Sequence, residues 1–242
     1  MKDVHVGQEA ILNTYFSYIG CTKCGLSENR YTKDVFAGAG SASADIMFLF
    51  DAPSEEDRDN NQLMSDEAGR LFMNMLEMAW FEDDEQMDEV RNLNGEAYFE
   101  ELREVLLSKI FLAPVVACPK YEGRAIAKDQ AEACRARVWD LIYAVDPMIV
   151  VCLGDLPFKY VFGVTKAPNS YRGFVRDLKL KSKFSSRELR YPVILTHHPR
   201  KLCLVGDQNL VEFETGVTYE ALEDLKKVIN IVKTYKEVQN EH

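Results

Sequence analysis

The stretch Asp45-Ile46-Met47-Phe48-Leu49-Phe50-Asp51 places five consecutive apolar residues between two aspartates. A short run that is apolar on both faces is typical of a buried strand in a parallel sheet. Three further apolar runs follow it along the chain: 110–116, 149–153 and 192–196. Segments with helical spacing of apolar residues alternate with these runs: 68–80, 128–145 and 219–238. This alternation predicts a parallel sheet that is covered by helices on both faces.

Length and composition set the scale of the fold. The chain has 242 residues, of which 47% are hydrophobic, and we find no linker, repeat or low-complexity segment in it. We therefore predict one domain over residues 1–242. No run of 18 apolar residues occurs, and the N-terminus lacks the apolar core of a signal peptide. We expect a cytoplasmic, reducing location, where cysteines favour metal or cluster ligation over disulfides.

Charge is distributed unevenly along the chain. The net charge of -10 argues against a general nucleic-acid binder, but local charge decides such contacts. Residues 82–104 contain ten acidic and two basic residues, whereas residues 166–201 contain ten basic and two acidic ones. We interpret 82–104 as a partly helical acidic insertion, whose simplest role is a solvated surface elaboration. The late basic segment, with an insertion at about 176–190 that is compatible with a hairpin, should carry the positive surface.

Four cysteines form two pairs that are distant in sequence. Cys21-Thr22-Lys23-Cys24 is a compact CxxC chelate, Cys118 follows the second apolar run, and Cys134 lies within a helical pattern. Four thiolates from these segments would tie the N-terminal arm to the core, and they suit either zinc or an iron–sulfur cluster. Cys152, inside the third apolar run, is better interpreted as a small packed hydrophobe.

Several segments together resemble the family 4 uracil-DNA glycosylases, the iron–sulfur branch of that superfamily. The segments that carry the resemblance are Cys21 to Leu26, Ile46 to Ser54, Ala68 to Leu71, Val115 to Pro119 with Cys134, and Thr196 to Pro199. The resemblance implies a three-layer α/β/α sandwich with a central four-stranded parallel sheet. It also implies a [4Fe–4S] cluster on Cys21, Cys24, Cys118 and Cys134, and base excision from DNA.

The resemblance also implies three catalytic candidates. His198 matches the family's catalytic histidine, which would donate a hydrogen bond to the departing base. Asp51 matches the glutamate of the first motif, one methylene shorter, and Asp57 matches a later acidic position that is implicated in placing water. Without the resemblance, a loop that reads Asp-Ala-Pro-Ser-Glu-Glu-Asp is also an ordinary solvated turn.

The implied base pocket departs from the family pattern. Its members here are Ala52, Pro53, Ser54, Met64 and Pro114. Met64 stands where the family has a stacking phenylalanine, and it offers no aromatic face. Pro114 stands where the family has the asparagine that reads uracil. Proline has neither a side-chain hydrogen bond nor a backbone donor, so uracil cannot be read here in the usual way.

A basic rim is expected to contact DNA phosphates, although a merely solubilising basic loop would look the same. Its predicted members are Arg172, Arg176, Lys179, Lys181, Lys183, Arg200 and Lys201. The residues after the His-Pro motif form the loop that wedges into the duplex in the resembled family, and Leu202 is the predicted wedge.

Three functions remain open from the sequence. The first is an active glycosylase for uracil or a modified pyrimidine. The second is a weakly active or inactive DNA-binding module, associated with replication or repair proteins through the acidic insertion. The third is another base-modifying enzyme, since one fold can carry different chemistries.

Overall fold

A computed structural model describes residues 4–26, 35–81, 87–120, 124–164, 171–180, 188–204 and 216–240. The strands are β1 (Ala39–Gly40), β2 (Ile46–Phe50), β3 (Ile110–Pro114), β4 (Ile149–Leu153), β5 (Arg176–Leu180) and β6 (Leu189–Thr196). The helices are α1 (Val4–Phe16), α2 (Glu55–Asp59), α3 (Glu67–Trp80), α4 (Asp88–Arg91), α5 (Gly95–Leu107), α6 (Lys128–Val145), α7 (Asp155–Phe162), α8 (Pro199–Leu204) and α9 (Val217–Asn240).

The strands form one mixed sheet in the order β1-β3-β2-β4-β6-β5. The inner four, β3, β2, β4 and β6, are parallel, which confirms the predicted fold class. The short β1 and the basic β5 add antiparallel edges that the four-stranded prediction did not include. β5 and β6 form the hairpin expected in the basic segment, and this pairing extends β6 back to Leu189.

The sheet separates two apolar layers. Alternate β2 side chains point to opposite faces, so Phe48 packs in one buried cluster and Met47 in the other. The Phe48 cluster includes residues of α3, α5 and α9, and the Met47 cluster includes residues of α6 and α7. Because parallel strands end on one edge, the loops after β2, β3, β4 and β6 meet there.

The acidic segment is more deeply integrated than the sequence suggested. Its described part, 87–104, lies in α4, in α5 and in the turn between them. Leu102 and Leu106 are fully buried against the core, and Val90 is buried as well. One face of α5 is therefore core and the other is solvated, so the interpretation as a purely solvated elaboration was wrong.

In the described residues, no helix is both long and apolar enough to cross a membrane.

Candidate active site at the carboxyl edge of the sheet

The loop after β2 is fixed by a capping box at the start of α2. Ser54 accepts a hydrogen bond from the backbone N–H of Asp57 (2.9 Å), and the Asp57 carboxylate accepts one from the N–H of Ser54 (3.0 Å). The other Asp57 oxygen accepts from the N–H (2.8 Å) and the hydroxyl (3.1 Å) of Ser65. Asp57 is buried, and both of its oxygens are used to hold the loop together.

Asp51 lies at the end of β2 in a different environment. Its Oδ1 is buried and has no hydrogen-bond partner among the described residues. Burial raises the pKa of this carboxyl, and the nearby His198, Lys120 and Arg200 oppose that rise. A buried carboxylate oxygen without a donor is costly, and it is therefore available to a water molecule or a ligand.

His198 follows β6 and lines the same cavity as Asp51. Its Nδ1 accepts a hydrogen bond from the backbone N–H of Arg200 (3.1 Å). Burial lowers the pKa of His198, Asp51 opposes this, and Arg200 and Lys120 add to the lowering. A neutral imidazole whose Nδ1 accepts must carry its proton on Nε2, so the ring presents a donor.

Gly154, the residue after β4, lies against His198. Its φ of +87° is a backbone conformation that side chains rarely adopt, and an added Cβ would lie 3.0 Å from Cβ of His198. A glycine is therefore needed here both for the turn into α7 and for the approach of the histidine.

A cavity of about 330 Å³ opens between the ends of β2, β4 and β6. This volume is within the usual range for small-ligand pockets. Carboxylates and cationic groups share its walls, which are formed by Asp51, Gly154, Asp155, Leu156, Arg172, Leu195, Thr196, His197, His198 and Lys201. The structure thus brings the predicted Asp51 and His198 together, while Asp57 is engaged with Ser54 and Ser65.

The predicted base-pocket residues are closed off from solvent. Ala52, Pro53, Ser54, Met64 and Pro114 are all buried. Met64 lines a small crevice against α5. The hydrogen-bonding groups of Ser54 are used in the capping box, so little of this set offers a free polar group.

Arg137 of α6 binds the carbonyl oxygen of Pro114, the last residue of β3. Its guanidinium is buried and donates to the carbonyl oxygens of Pro114 and Val115. It also donates to the carbonyl oxygens of Phe36 (3.3 Å) and Ala37 (3.2 Å). Pro114, as a proline, has no backbone N–H, and its C=O already accepts a hydrogen bond from Arg137.

Two predicted phosphate ligands are held by carboxylates instead. Arg172 pairs with the buried Asp224 of α9 (2.8 Å), and Arg200 pairs with Asp66 (2.8 Å). Ionic partners at this distance compete with phosphate for the guanidinium. Neither arginine is therefore a free cation on the surface.

The other predicted rim residues differ in placement. Arg176 and Lys179 are exposed on β5, although Lys179 pairs with Glu188 (3.0 Å). Lys201 is exposed and lines the cavity. Lys181 and Lys183 lie outside the described residues.

Leu202, the residue predicted to enter the duplex, lies on the buried side of α8. Leu202 is only 1% exposed and packs in the core cluster that contains Phe48, whereas Leu204 is 82% exposed. The Leu202 side chain is thus unavailable to DNA, because α8 turns that position inward.

The four paired cysteines share one neighbourhood. Cys21 packs against the buried cluster that contains Cys118, and both Cys118 and Cys134 lie close enough to Arg137 to affect its pKa. Burial raises the pKa of the Cys24 thiol, and the neighbouring Cys134 and Cys21 contribute. No group of three potential metal ligands is assembled at binding distance in the described parts of the chain. Four thiols in one neighbourhood nevertheless match the donor chemistry of zinc or an iron–sulfur cluster. Cys152 is fully buried in the sheet core.

Sequence reasoning missed several residues of this site. Lys120 lies close enough to Asp51 to affect its pKa, and it lines a second cleft, with Arg200 and Ser54. Asp155 begins α7 directly after β4, and the rule that ligands bind at strand ends would have selected it. His197 lines the cavity and shares a hydrogen bond of 3.0 Å with Glu220 of α9. No local pattern signals that last pairing, since the two residues are far apart in sequence.

Comparisons with known proteins agree on one family. The family model for the uracil DNA glycosylase superfamily matches residues 37–220. A type-4 uracil-DNA glycosylase of Sulfurisphaera tokodaii is 26% identical over 181 residues, which cover 75% of this chain and 70% of that protein. A type-4 uracil-DNA glycosylase of Saccharolobus solfataricus is 24% identical over 142 residues, 59% of this chain and 54% of that protein. This chain thus matches only about half the length of the second relative.

Proposed function

Since the chain belongs to the uracil-DNA glycosylase superfamily, whose model matches residues 37–220, we propose that it hydrolyses the N-glycosidic bond of a base flipped out of DNA. The observation that carries the proposal is the arrangement of His198. Its Nδ1 is occupied by the Arg200 N–H, its pKa is lowered, and it lines the cavity with Asp51.

His198 acts on the departing base. As the glycosidic bond breaks, negative charge develops on the base, and the Nε2–H of a neutral imidazole donates to the base oxygen that bears it. The hydrogen bond from the Arg200 N–H to Nδ1 (3.1 Å) holds the ring, and Gly154 leaves room for its close approach to the backbone. The donor is therefore oriented before the base arrives.

Asp51 acts on the water. The Asp51 carboxylate, whose Oδ1 has no hydrogen-bond partner among the described residues, accepts a hydrogen bond from a water molecule and orients it toward the sugar, which becomes cationic as the base leaves. The carboxylate charge also stabilises that cation. Asp57 contributes indirectly, since its hydrogen bonds to Ser54 and Ser65 fix the loop that begins at Asp51.

The substrate class is uracil or a modified pyrimidine, recognised differently from the resembled family. Pro114 supplies no amide, and Arg137 occupies its carbonyl oxygen. Near the end of β3, different pyrimidines would then be distinguished by their shape alone. We expect weaker preference for uracil over related pyrimidines than an asparagine would give.

Contact with DNA falls to the exposed cations of the rim, Arg176, Lys179 and Lys201, and outside the described residues to Lys181 and Lys183. Leu204 is an exposed apolar side chain on α8, the helix that carries Lys201, and we propose that it enters the duplex where a base leaves.

Cys21, Cys24, Cys118 and Cys134 would hold a [4Fe–4S] cluster. The cluster would cross-link the N-terminal arm, the segment after β3, and α6, so its contribution is structural. The purified protein should contain iron and sulfide and be brown. A colourless protein containing zinc would assign the same ligands to zinc instead.

The decisive test uses oligonucleotides that each contain one uracil or modified pyrimidine, incubated with cluster-loaded protein. Abasic sites should form with at least one of them, and His198→Ala should slow their formation about 10²–10³-fold while DNA binding persists. The closed β3 side favours a second candidate, a DNA-binding module without catalysis. DNA binding without release of any base would establish that candidate and contradict the first.

A further inference from the structure

The loop 60–66 connects α2 to α3 and carries Met64, at the position of the stacking residue in the resembled family. Asn61 (φ 49°) and Met64 (φ 57°) both have left-handed backbone conformations. Asparagine adopts this conformation readily, but for methionine it is unfavourable and persists only where the surroundings enforce it. The loop must therefore be held from outside.

One set of contacts comes from the body of the domain. Gly69 of α3 lies directly under the Met64 backbone, because an added Cβ would be 2.1 Å from the Met64 carbonyl oxygen. Asp57 accepts the Ser65 N–H at 2.8 Å. These contacts fix the C-terminal half of the loop.

The contact at Leu63 comes from the acidic segment. Nη1 of Arg103, on α5, donates to the Leu63 carbonyl oxygen at 2.6 Å, and both residues are buried. Burial lowers the pKa of Arg103, so the guanidinium is desolvated for this bond. A buried charged group makes a strong hydrogen bond, and its loss would leave the carbonyl unsatisfied.

Two more contacts keep α5 against the loop and α3. Nη2 of Arg70 binds both oxygens of Glu96 at 2.9 Å, and Gln62 donates to Glu100 at 3.3 Å. Both contacts are more exposed than the hydrogen bond of Arg103, so each contributes less to holding α5 against the loop. Arg103 is thus the principal link between the acidic segment and the loop.

We propose that α5 braces the base site: Arg103, through the Leu63 carbonyl, holds the Met64 loop in the conformation needed for base release. The proposal rests on the proposed function. The loop reaches the site through Ser65, which donates to Asp57 (2.8 Å), and through Asp66, which pairs with Arg200 (2.8 Å) beside His198. It makes Arg103 a positioning residue, and it gives the acidic segment a role within the enzyme.

The test compares Arg103→Met with Arg91→Met. Arg91 is the control, because it belongs to the same segment and its partners, the Phe81 carbonyl oxygen (2.6 Å) and the Glu77 carboxylate (2.9 Å), lie away from the loop. Hydrogen exchange of the backbone amides of residues 62–65 and the steady-state kinetics of base release are measured on both cluster-loaded variants. Arg103→Met should speed exchange roughly tenfold or more, because a buried hydrogen bond is lost. It should lower kcat about tenfold with little change in KM, and Arg103→Lys should restore part of both.

Arg91→Met should leave the exchange of residues 62–65 and kcat at wild-type values. Wild-type exchange in Arg103→Met, or equal acceleration in Arg91→Met, would overturn the brace. Faster exchange with an unchanged kcat would overturn its link to the base site. If the wild-type protein releases no base, the proposed function fails, and the exchange measurement still decides whether Arg103 holds the loop.

Discussion

The ends of β3 and β6 lie on opposite sides of β2, and they use their polar groups in opposite ways. At the end of β3, Pro114 has no N–H, and its carbonyl oxygen is bound by the buried Arg137. At the end of β6, His198 lines a cavity, and its Nδ1 accepts the Arg200 N–H. Asp51, directly after β2, lines the same cavity, and its buried Oδ1 has no hydrogen-bond partner among the described residues.

The comparison distinguishes a strand end that stabilises the fold from a strand end that offers groups for chemistry. The β3 side is joined through Arg137 and Cys118 to the cysteine neighbourhood, and its hydrogen-bonding capacity is consumed internally. The β6 side keeps donors and acceptors for a ligand. Substitutions on the first side should therefore change stability, and substitutions on the second should change activity.

Arg137→Met should have the largest effect on stability. Four carbonyl oxygens accept hydrogen bonds from this guanidinium, and each buried acceptor left alone costs about 1–3 kcal/mol. We expect the free energy of unfolding to fall by about 4 kcal/mol or more, measured by urea denaturation followed by circular dichroism. Arg135→Met on the same helix, where the guanidinium lies over the Trp139 ring, is the control and should cost about 1 kcal/mol or less. Equal losses in the two variants would remove the distinction between the strand ends.

His198→Ala should have the largest effect on activity. Loss of one preorganised donor lowers single-turnover base release by about 10²–10³-fold, and the free energy of unfolding should change little by comparison. Because burial holds the pKa of His198 below its ordinary value of 6.5, the neutral donor persists into acid. The wild-type rate should therefore not decline through pH 6.5 on account of this residue. A decline there that is absent in His198→Ala would contradict the neutral histidine.

Asp51→Asn should separate activity from stability. Since burial raises the pKa of Asp51 above 3.8, the folded protein binds this proton more tightly than the unfolded chain does. Stability therefore falls as pH rises through the folded pKa, and Asn removes that loss. We expect base release to fall by about 10²-fold or more, while the neutral-pH free energy of unfolding rises or stays equal. The stability difference between variant and wild type should vanish below pH 3.8.

Asp57→Asn is the contrasting substitution in the same loop. An amide nitrogen cannot accept the hydrogen bonds that Ser54 and Ser65 donate, so one carboxylate position loses its acceptor. The free energy of unfolding should fall by about 1–3 kcal/mol, measured by urea denaturation. Higher stability in Asp57→Asn, or lower stability in Asp51→Asn, would reverse the roles assigned to the two carboxylates.

The sequence predicted the parts of this molecule that depend on local pattern. The apolar run of β2 is a local signal, and the cysteine spacing with the His-Pro motif indicated the family. The pairings of Arg172 with Asp224 and of His197 with Glu220 could not be predicted, because they join α9 to segments far away in sequence. Helical phase explains the error at Leu202, since a shift of two positions moves a side chain from the core to solvent. The role of 82–104 was also hidden, because its charges outnumber the few apolar residues that it buries.

Leu204→Ala should produce the smallest effect, and it tests how far the β6 side extends along α8. The side chain is 82% exposed, so the free energy of unfolding should change by no more than about 0.5 kcal/mol. If Leu204 enters the duplex, base release from double-stranded substrate should fall a few-fold, whereas release from single-stranded substrate should not, because no stacked pair has to be opened. Leu12→Ala, on α1, removes a side chain that is 53% exposed and should leave both rates unchanged. A loss of the same size on both substrates in Leu204→Ala would mean that α8 contributes only to DNA binding. The chemistry at the carboxyl edge of the sheet would then depend on His198 and Asp51 alone.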